Sequence, residues 1–520
     1  MQNHEILLKI DDPLRPLDAP ELFFGVVGPL GSNLTLLCSV LQKQLQRVGY
    51  DAEIVKLSSL LRSIDKFKDL SDEPEDKRIE DHMSAGTELR ERTERGDILA
   101  LLAISEVQNI RKKETGDPKK AKANKAYIFS SLKHPDEAKA LRDIYGRLFI
   151  LISAYLPREK RVDEVEKAIS KSKNRIGTTS FRSRAEELIS RDEEEEGKNL
   201  GQDVTDVFPM ADLFVDSRNE KVIESNLSRF IEILFSYPFH TPTIWEFGMY
   251  MAHASGLRSA DLSRQVGAVV QNSSGDIISY GCNEVPKFFG GQYWEDDEND
   301  YRDFRVGYDS STIYKNDIFR EIIDIILQKG FFNEEIAKEG SEKIAKRLLL
   351  EKGGTSIDQA QISRLLEFGR PIHAEMAAIS TSARLGVSIE GCTMFSTTFP
   401  CHMCARHIIA SGISEVVYIE PYPKSRVRDL YPDSVIIDAE DRIPTKVNFM
   451  PFVGVAPRRF HEFFILGNKK RKNKSGKRID WSHENSSPIV RRLVITYIML
   501  EERVLEFADD YLKSKGFEIL

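Results

Sequence analysis

His373-Ala-Glu375 and Pro400-Cys-His-Met-Cys404 are the two stretches whose reading decides the second half of this chain. Each joins metal-binding donors to a helix start. One imidazole and two thiolates, from His373, Cys401 and Cys404, are ligands of the kind zinc prefers, and three of them leave a fourth tetrahedral position for water. An open position belongs to a catalytic zinc, whereas a structural site closes with four ligands. Glu375 stands two residues past the histidine, beside the ion rather than on it, where a carboxyl group can carry protons. Both stretches open helices, whose free N–H groups and dipole favour anionic sulfur. Pro400 is a residue type tolerated at such a start. An isolated Cys-x-x-Cys would suit a structural zinc or a redox pair; the His-x-Glu ahead of it points to catalysis.

Outward from these motifs, the pattern predicts helix 374–385, strand 393–398, helix 402–411 and strand 415–420. Upstream, 244–257 has helical spacing, and strands 266–271 and 277–281 flank a turn at 272–276 as a β-hairpin. Residues 287–369 are charged, mostly helical in pattern and free of cysteine, and read as an insertion. The second domain is thus expected over 241–455 as an α/β/α sandwich, followed by a tail over 456–520 with basic clusters at 469–472 and 474–478 and a helix within 487–514.

The first 240 residues have a different rhythm. Leu22-Phe-Phe-Gly-Val-Val-Gly28 reads as a buried strand running into Pro29-Leu-Gly31-Ser32-Asn33 and a helix to Val48. Segments 52–56, 97–103, 127–130 and 148–153 read as further strands or buried helical turns, 211–216 as a last strand and 219–236 as a closing helix. Alternation of this kind predicts a parallel sheet covered by helices. The glycine loop is in the right context to cradle phosphate with its backbone N–H groups, which makes Gly28, Gly31, Ser32 and Asn33 candidate nucleotide contacts. A P-loop, however, carries lysine and a hydroxyl residue directly after its last glycine. Here Ser32 and Asn33 follow, and the first lysine after them is Lys43. Binding without phosphoryl transfer, or a purely structural turn, is what this loop allows. The charged stretch 158–204, with Arg182, Arg184, Arg191 and the acidic run 192–196, reads as a solvated helix, with a phosphate-closing lid as the alternative.

Composition narrows the remaining classes. A chain of 520 residues exceeds the roughly 250–300 residues at which single cores stop growing, so at least two domains are expected. No apolar run approaches the ~18–20 residues needed to span a bilayer, and residues 1–20 lack a secretory pattern, which favours a cytoplasmic protein without a membrane partner. Five cysteines do not make a disulfide framework. Cys38 and Cys392 fall on apolar positions and read as core thiols, and Cys282 as core or pocket. A net charge of −8 repels nucleic acid as a whole and favours a small substrate.

The combination of His-x-Glu with Pro-Cys-x-x-Cys is the signature of zinc-dependent nucleobase deaminases, in which an activated water attacks C4 of cytosine while the glutamate moves protons. Residues 264–286, 373–379 and 393–413 resemble the deoxycytidylate deaminase branch of the cytidine deaminase superfamily. That resemblance implies a sugar contact for Asn283 and a base contact through the backbone around Ala374. Tyr422, in Glu420-Pro-Tyr-Pro-Lys-Ser-Arg426, is a candidate to stack on the base, with Lys424 or Arg426 holding phosphate; an ordinary loop is the alternative. Phe399 differs from the glutamate typical of tRNA adenosine deaminases and favours a free nucleotide.

Ser131-Leu-Lys-His-Pro-Asp-Glu-Ala-Lys-Ala-Leu-Arg142 and Pro157-Arg-Glu-Lys-Arg161 are similar to the middle of nucleoside-monophosphate-kinase-like folds. A degenerate kinase-like domain joined to a deoxycytidylate-type deaminase resembles the bacterial anti-phage dCTP deaminases. Membership would imply conversion of dCTP, and of dCMP, to uracil nucleotides. It would also imply a regulatory nucleotide on the first domain, restraint by a small RNA before infection, and a homo-oligomer. The competing readings are a polynucleotide cytidine or adenosine deaminase docking through 469–478, and a non-catalytic nucleotide sensor folded by zinc.

Overall fold

A computed structural model describes residues 19–174, 180–195, 198, 200–350, 367–422, 425–439, 441–467 and 469–519. The chain divides into two compact units. One runs up to Glu246 and resumes at Val453, and the other is Phe247–Phe452.

The first unit is built on strands β1 (Leu22–Val27), β2 (Asp51–Lys56), β3 (Lys125–Leu132), β4 (Phe149–Tyr155) and β5 (Leu213–Asp216). Its principal helices are α1 (Leu34–Arg47), α2 (Glu75–Thr93), α3 (Ile98–Thr115), α4 (Pro135–Tyr145), α5 (Arg158–Ser172), α6 (Arg182–Glu193) and α7 (Glu220–Leu234). The five strands are parallel in the order β5-β4-β1-β3-β2. β1 and β4 are apolar and buried almost throughout, the pattern of strands covered on both faces. β2, at the edge, buries only two of its residues, Ala52 and Val55.

One open reading is decided and one expectation changes. Residues 97–103, readable as a strand or as buried helical turns, begin helix α3: the apolar run continues through Ile104 and Val107, and its first two turns are buried on every side, as in a helix enclosed by its neighbours. Residues 456–520 do not stand apart as a tail. Gly454–Val455 adds an antiparallel strand beside β5, and helix Val494–Ser514 carries Glu501 into the unit's interior. There Arg111 bonds Glu501 at 2.5 Å and Glu21 at 2.7 Å, with all three side chains fully buried. Tyr497 donates to the same Glu21 carboxylate at 3.0 Å. A paired interior charge of this kind is costly to break, which fixes the C-terminal helix in place.

The second unit contains α8 (Ile244–Gly256), strands β6 (Gly267–Gln271) and β7 (Ile277–Cys282), helices α9 (Ser310–Gln328), α10 (Ser341–Leu350) and α11 (Ala374–Leu385), β8 (Thr393–Thr398), α12 (His402–Ala410), β9 (Glu415–Glu420), β10 (Val435–Ile437) and β11 (Val447–Pro451). The sheet order is β10-β11-β9-β8-β6-β7, parallel from β10 to β8 and antiparallel across β8-β6-β7. The β6–β7 turn is set by Asn272, whose side-chain oxygen accepts from the N–H groups of Ser274 and Asp276. Helices α9 and α10 lie in the expected insertion and pack on each other through Phe319, Ile323, Ile344 and Ala345. Residues 351–366 of that insertion lie outside the described residues.

Both units are thus mixed α/β layers, the fold class expected from the sequence. Among the described residues, no helix is long and apolar enough to cross a membrane.

Candidate metal centre

The centre forms where α11 and α12 begin. β8 ends at Thr398, and Phe399 and Pro400 lead directly into α12, with the Phe399 N–H held by the Glu420 carbonyl at 2.8 Å and the Pro400 carbonyl accepting from Ser425 Oγ at 3.0 Å. Phe399 packs edge-on to Tyr418, ring centroids 4.9 Å apart, which anchors the turn in the core. Cys401 occupies the N-cap of α12 and Cys404 its first turn. His373 is the N-cap of α11. Gly281 in β7 is what lets α11 approach the sheet, because a Cβ there would lie 2.5 Å from the Ala374 carbonyl oxygen.

These placements bring one ligand atom each from His373, Cys401 and Cys404 within 4.8 Å of one another. His373 Nδ1 is 3.4 Å from both sulfurs. A tetrahedral zinc with ordinary Zn–S and Zn–N bonds would set that separation at about 3.6 Å, so the donors are already spaced for the ion. Electrostatics divides the two sulfurs. The Cys401 thiol is held down to about 4, first by its hydrogen bond with Cys404 and then by the His373 ring. His373, hydrogen-bonded to the Cys401 sulfur, is pushed up to about 9. Only Cys401 favours its anionic form; the hydrogen bond to Cys401 and burial push the Cys404 thiol up, so without an ion the two sulfurs share one negative charge, and a divalent ion would draw both to the thiolate.

Glu375 is 4% exposed, and Cys404 Sγ donates to its Oε2 at 3.5 Å. Burial, reinforced by the Cys401 charge, raises its pKa. It is a buried carboxyl group within hydrogen-bond reach of a metal donor, the position a proton carrier requires.

A pocket of about 480 Å³ opens onto His373, Glu375 and Cys401, and its wall includes Asn283, Ala374 and Tyr422. These three sequence candidates are therefore gathered at the centre; Lys424 lies outside the described residues. Asn283 also braces the wall: its Oδ1 accepts from the Val266 N–H and its Nδ2 donates to the Arg264 carbonyl, both at 2.7 Å. Cys282 is fully buried and donates to Gln292, away from this wall. Cys38 and Cys392 are buried as well, and burial pushes the Cys38 thiol up to about 11.

Arg264 and Lys315 are the basic residues of a wall that also holds Asp261, Asp303 and Asp309, and sequence reasoning singled out none of the five. Arg264 was visible as the first residue of Arg264-Gln-Val-Gly, and its guanidinium sits 5.4 Å from the Tyr422 ring centroid. Lys315 arrives on α9, together with Thr312 and Asp309, so the insertion contributes to the wall. No local signal tied that helix to the centre.

Residues 244–420 match the cytidine and deoxycytidylate deaminase zinc-binding region. The three-donor centre is a zinc site. Deoxycytidylate deaminase of Enterobacteria phage T2 is 53% identical over 55 residues, which are 11% of this chain and 29% of the phage protein. A probable deoxycytidylate deaminase of Drosophila melanogaster is 38% identical over 79 residues, 14% of this chain and 38% of that protein. The chain thus spans well under half the length of these curated relatives. Among solved structures, the dCMP deaminase of cyanophage S-TIM5 aligns with 41% of this chain and all of that one at 17% identity and a TM-score of 0.22. Shikimate kinase of Acinetobacter baumannii aligns with 42% of this chain and 96% of its own at 11% identity and a TM-score of 0.23.

Proposed function

We propose that the protein hydrolyses deoxycytidine nucleotides, dCTP and also dCMP, to the corresponding deoxyuridine nucleotides and ammonia, and that loss of dCTP is its contribution to defence against phage. The observation that carries this reading is the buried Glu375 carboxyl beside three zinc donors at the end of a nucleotide-sized pocket. The dCMP part of this reading agrees with the names of the phage T2 relative, deoxycytidylate deaminase, and of the fly relative, probable deoxycytidylate deaminase.

Zinc, when held by His373, Cys401 and Cys404, supplies a Lewis acid that makes water nucleophilic near neutral pH. Glu375 then takes a proton from the attacking water and delivers it to N3 of the cytosine, and a second proton passes through it to the departing amine as C4 becomes a carbonyl. The Ala374 backbone lines the base end, and Asn283 offers the sugar the second N–H of an amide already fixed by Val266 and Arg264. Arg264 and Lys315 supply positive charge for the phosphates. In this reading the first unit is regulatory and takes a nucleotide at Gly28, Gly31, Ser32 and Asn33.

The test is incubation of the purified protein with dCTP, dCMP, cytidine and single-stranded DNA, following ammonia. Turnover of the deoxycytidine nucleotides is expected. Turnover of DNA alone would replace this reading with the polynucleotide one.

A further inference from the structure

The glycine loop of the first unit already holds an anion, and the anion is its own. The Leu30 N–H, in the middle of Gly28-Pro-Leu-Gly31, donates to Asp192 Oδ2 at 2.7 Å. Asp192 comes from the end of α6 and its side chain is fully buried. Lys133, at the end of β3, places Nζ 2.9 Å from the same carboxylate oxygen and 3.2 Å from the Gly28 carbonyl. The lysine missing after the last glycine is therefore replaced in space by one from another strand.

The loop is held firmly in this arrangement. Gly31 has φ of 91°, and a Cβ on it would lie 2.7 Å from the Arg161 carbonyl oxygen, so the loop is pressed against α5. Next to it, Ser32 is 1% exposed, and its Oγ has no hydrogen-bond partner. An unsatisfied hydroxyl at that depth carries a cost that a ligand oxygen would remove. Ser32, Lys133 and Asp192 all line one cavity of about 620 Å³, whose lining also includes Ile79, Met83, Lys56 and Arg78. Backbone N–H, a lysine ammonium and a free hydroxyl at the start of a helix of 14 residues form a phosphate cradle.

We infer that Asp192 is a built-in competitor for a phosphate site made by the Leu30 N–H, Lys133 and Ser32 Oγ, so that a phosphate-bearing ligand binds by displacing this carboxylate from the loop. This rests on the reading of the loop as a nucleotide site and adds how that site is restrained. A carboxylate on the lysine and the amide lowers the fraction of binding-competent protein, and the apparent affinity falls by that fraction.

Calorimetric titration of the full-length protein with inorganic pyrophosphate tests this. Asp192→Asn keeps the side chain's shape and removes its charge, and should tighten binding by about tenfold or more. Adding Lys133→Met to it should abolish the gain. Equal affinity in wild type and Asp192→Asn would overturn the competition while leaving the loop a binding site, whereas no binding to either would overturn both. A gain that survives Lys133→Met would place the anion elsewhere and also refute the inference. Should Asp192→Asn fail to fold, Ser32→Ala in the wild-type chain must weaken pyrophosphate binding, and unchanged binding there counts against the site.

Discussion

The two units each carry a parallel strand that runs through a short loop into a helix N-terminus, at β1–α1 and at β8–α12, yet the two junctions are differently equipped. At β8–α12 the metal-binding sulfurs belong to the helix start itself, as Cys401 and Cys404, and His373 comes from the matching position of α11. At β1–α1 the anion is a carboxylate from a residue 162 positions away, and the cation is Lys133, the residue that follows β3. The same backbone geometry therefore serves a metal where thiolates are encoded locally, and serves a displaceable anion where they are not.

The largest expected effect is at the metal donors. Cys401→Ser should lose zinc, measured by metal analysis, and bring ammonia release to background, because two donors do not retain the ion. Lys133→Met at the other junction should leave zinc content intact; a loss of zinc there would erase the distinction between the junctions. Glu375→Gln comes next, lowering kcat by about 10²–10⁴ while zinc stays bound. Arg111→Ala strands the buried carboxylates of Glu21 and Glu501 and should lower unfolding stability by about 3–5 kcal/mol in denaturant titration. Zinc per folded chain should not change. Arg264→Ala is the mildest: KM for dCTP should rise by about tenfold with little change in kcat, as for a contact made equally in ground and transition states. A matching rise for deoxycytidine, which has no phosphate, would remove Arg264 from phosphate recognition.

Legibility in the sequence follows the same divide. The donors, Glu375 and the order of strands and helices from 374 to 420 were readable because ligand spacing and helix starts are local features. Asn283, Ala374 and Tyr422 also reach the pocket wall, the first two through the motif resemblance. What could not be read depended on pairing across long stretches of chain. Lys315 reaches the pocket from an insertion with no motif, and Arg111 finds Glu501 across 390 residues. The first turns of helix α3 stayed open between strand and buried helix because seven consecutive buried residues, Ile98 to Ile104, carry no periodicity to separate the two.

The most direct test pairs zinc content with turnover in wild type and Glu375→Gln, using dCTP and dCMP. Bound zinc in both proteins, with ammonia released only by the wild type, is the predicted result. Equal ammonia release by the two proteins would contradict the assignment of proton transfer to Glu375, and zinc-loaded wild type that releases none from either nucleotide would contradict the deaminase reading itself.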